Sequence, residues 1–258
     1  MSKTLQYPFG PLDLTTQPKD LSSDDNLGIR LNDATQRNTL GTRKMDWDGG
    51  VYRYVKAGST YTSYQAAVWT GDTSAGVSYE APNSGSSAGQ NVVHIAEASI
   101  TEDEYAGGYM LLFHSTGDGN VTTVIGNSAS TGGLVDVYLE HPLPVDVTTS
   151  DAFELYPNPY DDVQQGNNST NTAGFIGIPQ ALLTDNYFGW VKTWGPTFIS
   201  PQSTVGGSGL AAGYFRHDGS IDVRANISPG TVTDQYAGYR LIGSASGDGP
   251  LFMLQVSI

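Results

Sequence analysis

Few residues of this chain have the types and spacing that catalysis or metal binding requires. The run GSSAG (85–89) matches the G-x-S-x-G pattern of hydrolase nucleophile elbows, but such an elbow needs a buried strand before it and a helix after it. The run lies in a Ser- and Gly-rich stretch, 83–89, which indicates a loop. The histidines form no H-x-H or H-x-x-x-H pair, so their spacing indicates no metal site. They are His94, His114, His141 and His217.

Carboxylates offer no better catalytic pattern. Adjacent acidic residues occur at 24–25, 102–104 and 161–162. Neighbouring side chains of a strand point to opposite faces, so these runs are poor acid–base pairs. The chain has no cysteine, which excludes thiol nucleophiles, thiolate zinc sites and iron–sulfur clusters. We therefore predict that the protein is not an enzyme and has no catalytic residue, metal ligand or cofactor.

The net charge limits the partners that the chain can bind. Its 258 residues include 26 acidic and 12 basic side chains, a formal charge of −14. This charge repels phosphate backbones, so we expect no nucleic-acid binding. No run of 18 apolar residues occurs, and the first residues lack the apolar stretch of a secretory signal. We expect a protein made in the cytoplasm that does not enter a membrane.

The charge divides the chain into an N-terminal arm and a remainder. Residues 1–46 hold six Lys or Arg and six Asp, whereas the other 212 residues carry the full −14. The arm has three prolines and no clear periodicity, so we predict an extended segment with little core of its own. It is either a disordered terminus or an arm that folds against a neighbouring subunit. The second interpretation depends on apolar residues that recur along it, Leu27, Ile29, Leu31 and Leu40.

From residue 47 onward the sequence predicts an all-β protein, a β-sandwich or β-barrel. Short segments of β-branched and aromatic residues alternate with Gly, Asn, Asp and Ser clusters, without the apolar period of a helix. The predicted strands are 51–56, 64–70, 92–98, 109–114, 121–125, 134–139, 152–156, 187–194, 214–216, 220–225, 239–242 and 251–258. Two Asp-Gly turns, at 117–119 and 247–249, indicate hairpins.

An internal echo predicts two related β modules, 47–147 and 148–258, after the arm 1–46. The segment 103–119 and the segment 234–249 share the order D-x-Y-A-G, Tyr and a G-D-G turn. A looser pair, 52–58 and 188–195, has a similar offset, 136 residues against 131. Such spacing favours duplication. Independent selection of residues that suit hairpins would give the same letters.

Aromatic residues are the remaining candidates for function. Trp190 and Trp194 have the same parity on one predicted strand, so we expect their rings to share a sheet face. An internal face would place both in the core, which we favour, and an external face would make them an interface anchor or a sugar platform. Tyr156 and Tyr160 flank two prolines in a rigid turn that can support a loop or make a subunit contact.

Four phrases resemble those of structural proteins encoded in the head modules of tailed bacteriophages. They are VYRYVKAG (51–58), ITEDEYAGGY (100–109), ELYPNPY (154–160) and DNYFGWVKTWGP (185–196). We interpret this as a resemblance to capsid decoration, or cement, proteins. It covers about residues 37–200 and returns in the predicted final strand, and it carries no active-site residue.

The resemblance implies a trimeric virion protein on the outer surface of an icosahedral capsid. Its partners would be the major capsid protein and itself, and it would bridge capsid subunits after the shell has expanded. We expect the near-neutral arm to reach the shell while the acidic β modules face solvent. The candidate capsid or subunit contacts are Leu27, Ile29, Arg30, Leu31, Arg37, Arg43, Lys44, Tyr156, Tyr160, Trp190 and Trp194.

Two other classes stay open. A carbohydrate-binding or host-adhesion module of a virion would stack exposed Tyr and Trp rings on sugars. A polysaccharide-degrading enzyme would need two carboxylates about 5–9.5 Å apart in a cleft. Asp136 and Glu140 stand in the most apolar setting of any acidic residues in the chain.

Overall fold

The structure is a computed structural model that describes residues 28–46, 49–71, 75–166, 174–201, 205, 211–224, 232–243 and 249–256. Most of the predicted arm, with the candidate contact Leu27, lies outside the described residues. So does most of the predicted turn at 247–249.

The described residues form one 3-10 turn, Gly28–Arg30, and sixteen β-strands, with no α-helix among them. This confirms the predicted all-β class. The strands are β1 (Arg43–Met45), β2 (Val51–Lys56), β3 (Val68–Thr70), β4 (Val77–Glu80), β5 (Val92–Ile95), β6 (Tyr109–Phe113), β7 (Gly119–Asn127), β8 (Val135–Leu139), β9 (Ala152–Tyr156), β10 (Val163–Gln165), β11 (Phe175–Pro179), β12 (Phe188–Thr197), β13 (Ala212–Arg216), β14 (Ile221–Asp222), β15 (Val232–Ile242) and β16 (Leu251–Gln255).

The strands form two antiparallel sheets, one inserted into the other. Strands β4 to β9 form a six-stranded sheet in the order β4-β9-β6-β7-β8-β5. The others form a ten-stranded sheet with the main path β10-β3-β11-β12-β16-β15-β13-β14, and β2 joins β1 to β12. Because β3 and β10 pair directly, with Thr70 opposite Val163, the six-stranded sheet is an insertion between paired strands.

This insertion differs from the predicted pair of modules. The predicted boundary at 147/148 falls inside the six-stranded sheet, because β9 pairs with β4 and β6. The echoing segments also have different settings, since 103–108 form a turn before β6 whereas 234–239 lie inside β15. The looser pair, β2 and β12, are neighbours in one sheet. The topology therefore does not support the predicted duplication.

Each sheet has its own core. The six-stranded sheet is curled, and the Asn83 N–H, just after edge strand β4, donates to the His94 carbonyl of the other edge strand, β5, at 2.8 Å. Its inner side holds fifteen buried apolar residues, including Phe153 and Leu112. Each fully buried apolar side chain of this size contributes about 1.5–3 kcal/mol to stability. The ten-stranded sheet buries separate clusters, the largest of which contains Phe215.

A short loop, 157–162, leads from the six-stranded sheet back to the ten-stranded sheet. Its last residue, Asp162, has a φ of 49°, and its carboxylate lies directly against Gly58 and Gly71. A Cβ at either glycine would collide with Asp162, so both positions require glycine. The Gly71 N–H donates to the Asp162 carbonyl at 2.9 Å. This contact holds the exit of the insertion beside its entry.

Candidate functional site

Several predicted contact residues meet on one face of β2 and β12, in a cluster that we call the arm clasp. Its centre is formed by Tyr52, Tyr54 and Trp190, all buried. The rings of Tyr54 and Trp190 pack edge to face, with centroids 5.1 Å apart and planes at 61°. Apolar residues of the arm cover this centre, namely Ile29, Leu31 and Leu40.

Hydrogen bonds hold the arm on the clasp. Asp33 exchanges two backbone hydrogen bonds with Phe188, at 3.1 and 2.8 Å. The Arg37 backbone N–H donates to the Tyr54 hydroxyl at 3.0 Å, and Arg37 Nε lies 2.6 Å from Asp33 Oδ2. Burial raises the pKa of Tyr54, so the hydroxyl stays protonated at neutral pH. The described part of the arm therefore packs against its own chain.

The other cationic candidates of the arm have different surroundings. Lys44 Nζ lies 5.7 Å from the centroid of the Trp190 ring, a cation–π contact within the clasp. Arg43 is exposed on β1 opposite Arg53. Arg30 is exposed and lines an open groove of about 420 Å³ with Tyr64, Pro179, Gln180, Ala181, Thr197 and Phe198. The structure thus separates Arg30 and Arg43 from the clasp.

The prediction that Trp190 and Trp194 share a sheet face is wrong. A β-bulge lies between Lys192 and Trp194, so that Trp190 pairs with Tyr54 but Trp194 pairs with Val51. Tyr54 and Val51 are three positions apart on β2, and an odd separation places side chains on opposite faces. Trp190 is 6% exposed, whereas Trp194 is half-buried.

Tyr156 and Tyr160 also have different surroundings. Tyr160, in the loop 157–162, packs against the arm, with its ring against Gly41 and the Arg53 guanidinium carbon 5.8 Å from the ring centroid. Burial raises its pKa. Tyr156 ends β9, and its hydroxyl donates to Glu154 Oε2 at 2.6 Å. Only Tyr156 belongs to an open surface.

That surface is the side of the six-stranded sheet turned away from its core, which we call the outer face. Leu111 of β6 lies between Val121 of β7 and Glu154 of β9, and Tyr109 lies beside Tyr156 in the next row. The face comprises Tyr79, Tyr109, Leu111, Phe113, Val121, Ile125, Tyr138, Glu154, Tyr156, His94 and Asp136.

Several large apolar side chains are exposed on this face. Val121 is 64% exposed and Ile125 is 56% exposed. Three of the tyrosines, Tyr79, Tyr109 and Tyr138, are exposed as well. Isolated exposed apolar residues need no explanation, but a contiguous apolar surface marks an interaction site. Of this face, only Tyr156 was among the contacts predicted from the sequence.

The outer face belongs to a region without Lys or Arg. Residues 57–191, 135 in a row, contain neither. Residues 75–156 hold eleven acidic residues, so this segment carries −11 of the net charge of −14 with histidine neutral. On the face itself, His94 Nδ1 lies 2.6 Å from Asp136 Oδ1, directly across β5 and β8. The face is therefore apolar and anionic together.

The serine run and the buried histidine considered for chemistry have structural surroundings. The run 85–89 forms an irregular loop, as predicted, where the Ser86 N–H donates to the Val147 carbonyl at 2.8 Å. His114 is buried with its Nδ1 3.6 Å from Asp151 Oδ2. No group of three or more His, Asp or Glu among the described residues could hold a metal ion.

The functional proposal depends on the fold and the outer face, because no protein-family model, curated protein or solved structure matches the chain. Among the described residues, no helix is long and apolar enough to span a bilayer.

Proposed function

We propose that the protein is a virion structural protein that decorates the expanded icosahedral capsid of a tailed phage and stabilises it by bridging major capsid protein subunits. The observation that carries the proposal is the outer face, an open apolar surface on a curled β-sheet. The phrases that resemble decoration proteins include 154–160, which crosses this face. A protein with such a surface acts by binding.

The proposed mechanism is physical. A subunit that binds only the expanded lattice stabilises that state by mass action. Many copies add their modest contacts through avidity. A homotrimer would match the local threefold positions of a shell, because closed cyclic symmetry suits such a site. The acidic charge would keep decorated particles apart.

A carbohydrate-binding or adhesion function is the second candidate. Exposed Tyr109 and Tyr138 lie on the same face as Glu154 and Asp136. Tyrosine rings stack on sugars, and carboxylates accept hydrogen bonds from sugar hydroxyls. Binding to a glycan array that is lost in Tyr138→Ala would support this function, and an array without hits would reject it.

The decisive experiment is co-sedimentation with decoration-free shells of the tailed phage proposed as the source. The purified full-length chain is mixed with expanded shells and, in parallel, with unexpanded procapsids. We expect saturable binding to the expanded shells alone, and a shell that withstands a higher temperature when decorated. Failure to bind expanded shells would reject decoration.

A further inference from the structure

The chemistry of the outer face specifies the kind of surface that fits it. Its central row, Val121, Leu111 and Glu154, places a carboxylate directly beside aliphatic side chains. Glu154 Oε2 accepts a hydrogen bond from the Tyr156 hydroxyl. At the far side, Asp136 contributes a second carboxylate, 48% exposed. The flanking cations in sequence, Lys56 and Lys192, both lie in the ten-stranded sheet.

We infer that the outer face docks a protein surface in which an apolar patch is bordered by Lys or Arg side chains. The apolar centre supplies the affinity by burial, and complementary charge at the rim supplies orientation and a faster association. This inference deepens the proposed function, on which it rests for the identity of the partner. In that setting, the docked surface is a basic patch of the expanded capsid lattice.

Charge argues against the other occupants. A second copy docked face to face would bring another segment of −11 against the first, and like charges in apposition cost several kcal/mol; the proposed trimer would therefore use other surfaces. Anionic lipids and nucleic acids are repelled for the same reason. A sugar would use the tyrosines, but it would leave the aliphatic centre at Leu111, Val121 and Ile125 without a partner. A protein surface with an apolar patch bordered by Lys or Arg would contact both the aliphatic centre and the carboxylates of the face.

The test uses two matched pairs of full-length variants. Val121→Asp places a charge in the centre of the face, and Val145→Asp makes the same change at a valine that is 47% exposed in the loop after β8. Glu154→Gln removes the central charge, and Glu102→Gln removes an exposed charge that is not among the residues of the face. Circular dichroism and thermal unfolding check that all four variants fold.

Binding is measured with two probes. The first is a synthetic peptide of alternating Leu and Lys, with a Leu–Glu peptide as its control, and the site is mapped by amide chemical shifts. We expect shifts on β6 and β7, and an affinity about tenfold weaker in Val121→Asp and severalfold weaker in Glu154→Gln. Val145→Asp and Glu102→Gln should bind like the parent chain. The second probe is the expanded shell.

The outcomes separate this inference from the proposed function. If the parent chain binds shells but Val121→Asp binds them as well as Val145→Asp does, decoration stands and the inference is overturned. If no shell binds, yet the Leu–Lys peptide maps to the outer face, decoration fails and the inference stands. Absence of peptide binding overturns it. So does a dimer that is lost in Val121→Asp, or glycan binding at the same face without peptide binding.

Discussion

Both sheets expose some large apolar side chains, for example Ile242 of β15 at 65%, but the arm covers the aromatic cluster of β2 and β12 whereas no described segment covers the outer face. In the ten-stranded sheet, the arm lies over Tyr54 and Trp190. In the six-stranded sheet, nothing in the described chain covers Val121 and Ile125, which are 64% and 56% exposed. Charge follows the same division. Residues 75–156 have eleven acidic and no basic side chains, and the other 176 residues have fifteen acidic and twelve basic.

Aromatic residues of this chain have two different uses. Both sheets carry clustered Tyr, Trp and Phe side chains, so aromatic content alone does not identify an interface. The tryptophan with the most suggestive position, Trp190, is used within the chain. The outer face combines uncovered apolar side chains with a segment that contains no Lys or Arg.

The largest expected effect tests whether the two cores are separate. Phe153→Ala in the six-stranded sheet and Phe215→Ala in the ten-stranded sheet each remove a fully buried ring. Each should cost about 3–5 kcal/mol of unfolding free energy. Hydrogen exchange with mass spectrometry should show lost protection in 77–156 for Phe153→Ala and in 188–255 for Phe215→Ala. Equal loss in both sheets for both variants would mean one cooperative unit.

The next effect tests the arm clasp. Trp190→Ala should cost about 3 kcal/mol and free the arm, whereas Trp194→Ala, on the opposite face and half-buried, should cost about 1 kcal/mol. Trypsin reports arm release cleanly, because it can cut near Arg37 but has no site in 57–191. We expect faster arm cleavage in Trp190→Ala only. Equal cleavage in both variants would contradict the clasp.

A smaller effect tests the hydrogen bonds that the Asp151 carboxylate accepts at the start of β9. Burial raises the pKa of Asp151, but hydrogen bonds from the Ser115 and Thr148 N–H groups and the Thr148 hydroxyl outweigh it and lower the pKa to about 2. Such a carboxylate stabilises the fold above its unfolded pKa, and the stabilisation is lost as the pH falls towards 2. Asp151→Asn should therefore cost about 1–2 kcal/mol at pH 7.

Urea unfolding between pH 7 and pH 2.5 measures this effect. The difference between the parent chain and Asp151→Asn should shrink as the pH falls. Asp118→Asn, in the exposed turn that follows β6, is the matched control and should stay within about 0.5 kcal/mol of the parent at every pH. A difference for Asp151→Asn that is the same at pH 7 and pH 2.5 would contradict the assignment.

The smallest effect tests the repulsion between the neighbouring carboxylates of Glu80 and Glu97. Burial and the neighbouring Glu80 carboxylate raise the pKa of Glu97. A raised carboxyl pKa destabilises the fold once the group ionises, so Glu97→Gln should increase stability at pH 7 by a few tenths of a kcal/mol. The gain should vanish below the pKa of Glu97. Glu102→Gln is the control, and a loss of stability in Glu97→Gln would refute the repulsion.

Many of the strands could be predicted because their residue types and the turns that bound them are local features of the sequence. The segments that became β2, β6 and β9 are short, β-branched or aromatic, and bounded by turns. Strands β1, β4, β10 and β11 were missed, since the first three have only three or four residues and β11 contains Gly177 and ends at Pro179. The insertion was also missed. Pairing of Thr70 with Val163 is a long-range contact that leaves no trace in either segment.

The candidate site was predictable only in part, for reasons of register. The aromatic content of β2 and β12 pointed to the arm clasp, but the bulge before Trp194 reverses its face, and no local pattern reveals a bulge. On β6, apolar residues occupy both faces, so periodicity could not tell buried Met110 from half-buried Leu111. Only the three-dimensional arrangement brings Val121 and Glu154 to either side of Leu111.

The contact between the ends of the insertion also bears on how the chain folds. Thr70 and Val163 must meet across 93 positions. Once the six-stranded sheet has formed, the Gly76 N–H bonds to the Leu155 carbonyl, and only about a dozen residues of that loop remain to be closed. Prior folding of the insertion therefore lowers the entropic cost of pairing β3 with β10 by about 2 kcal/mol. The order of assembly favours the insertion first and its host second.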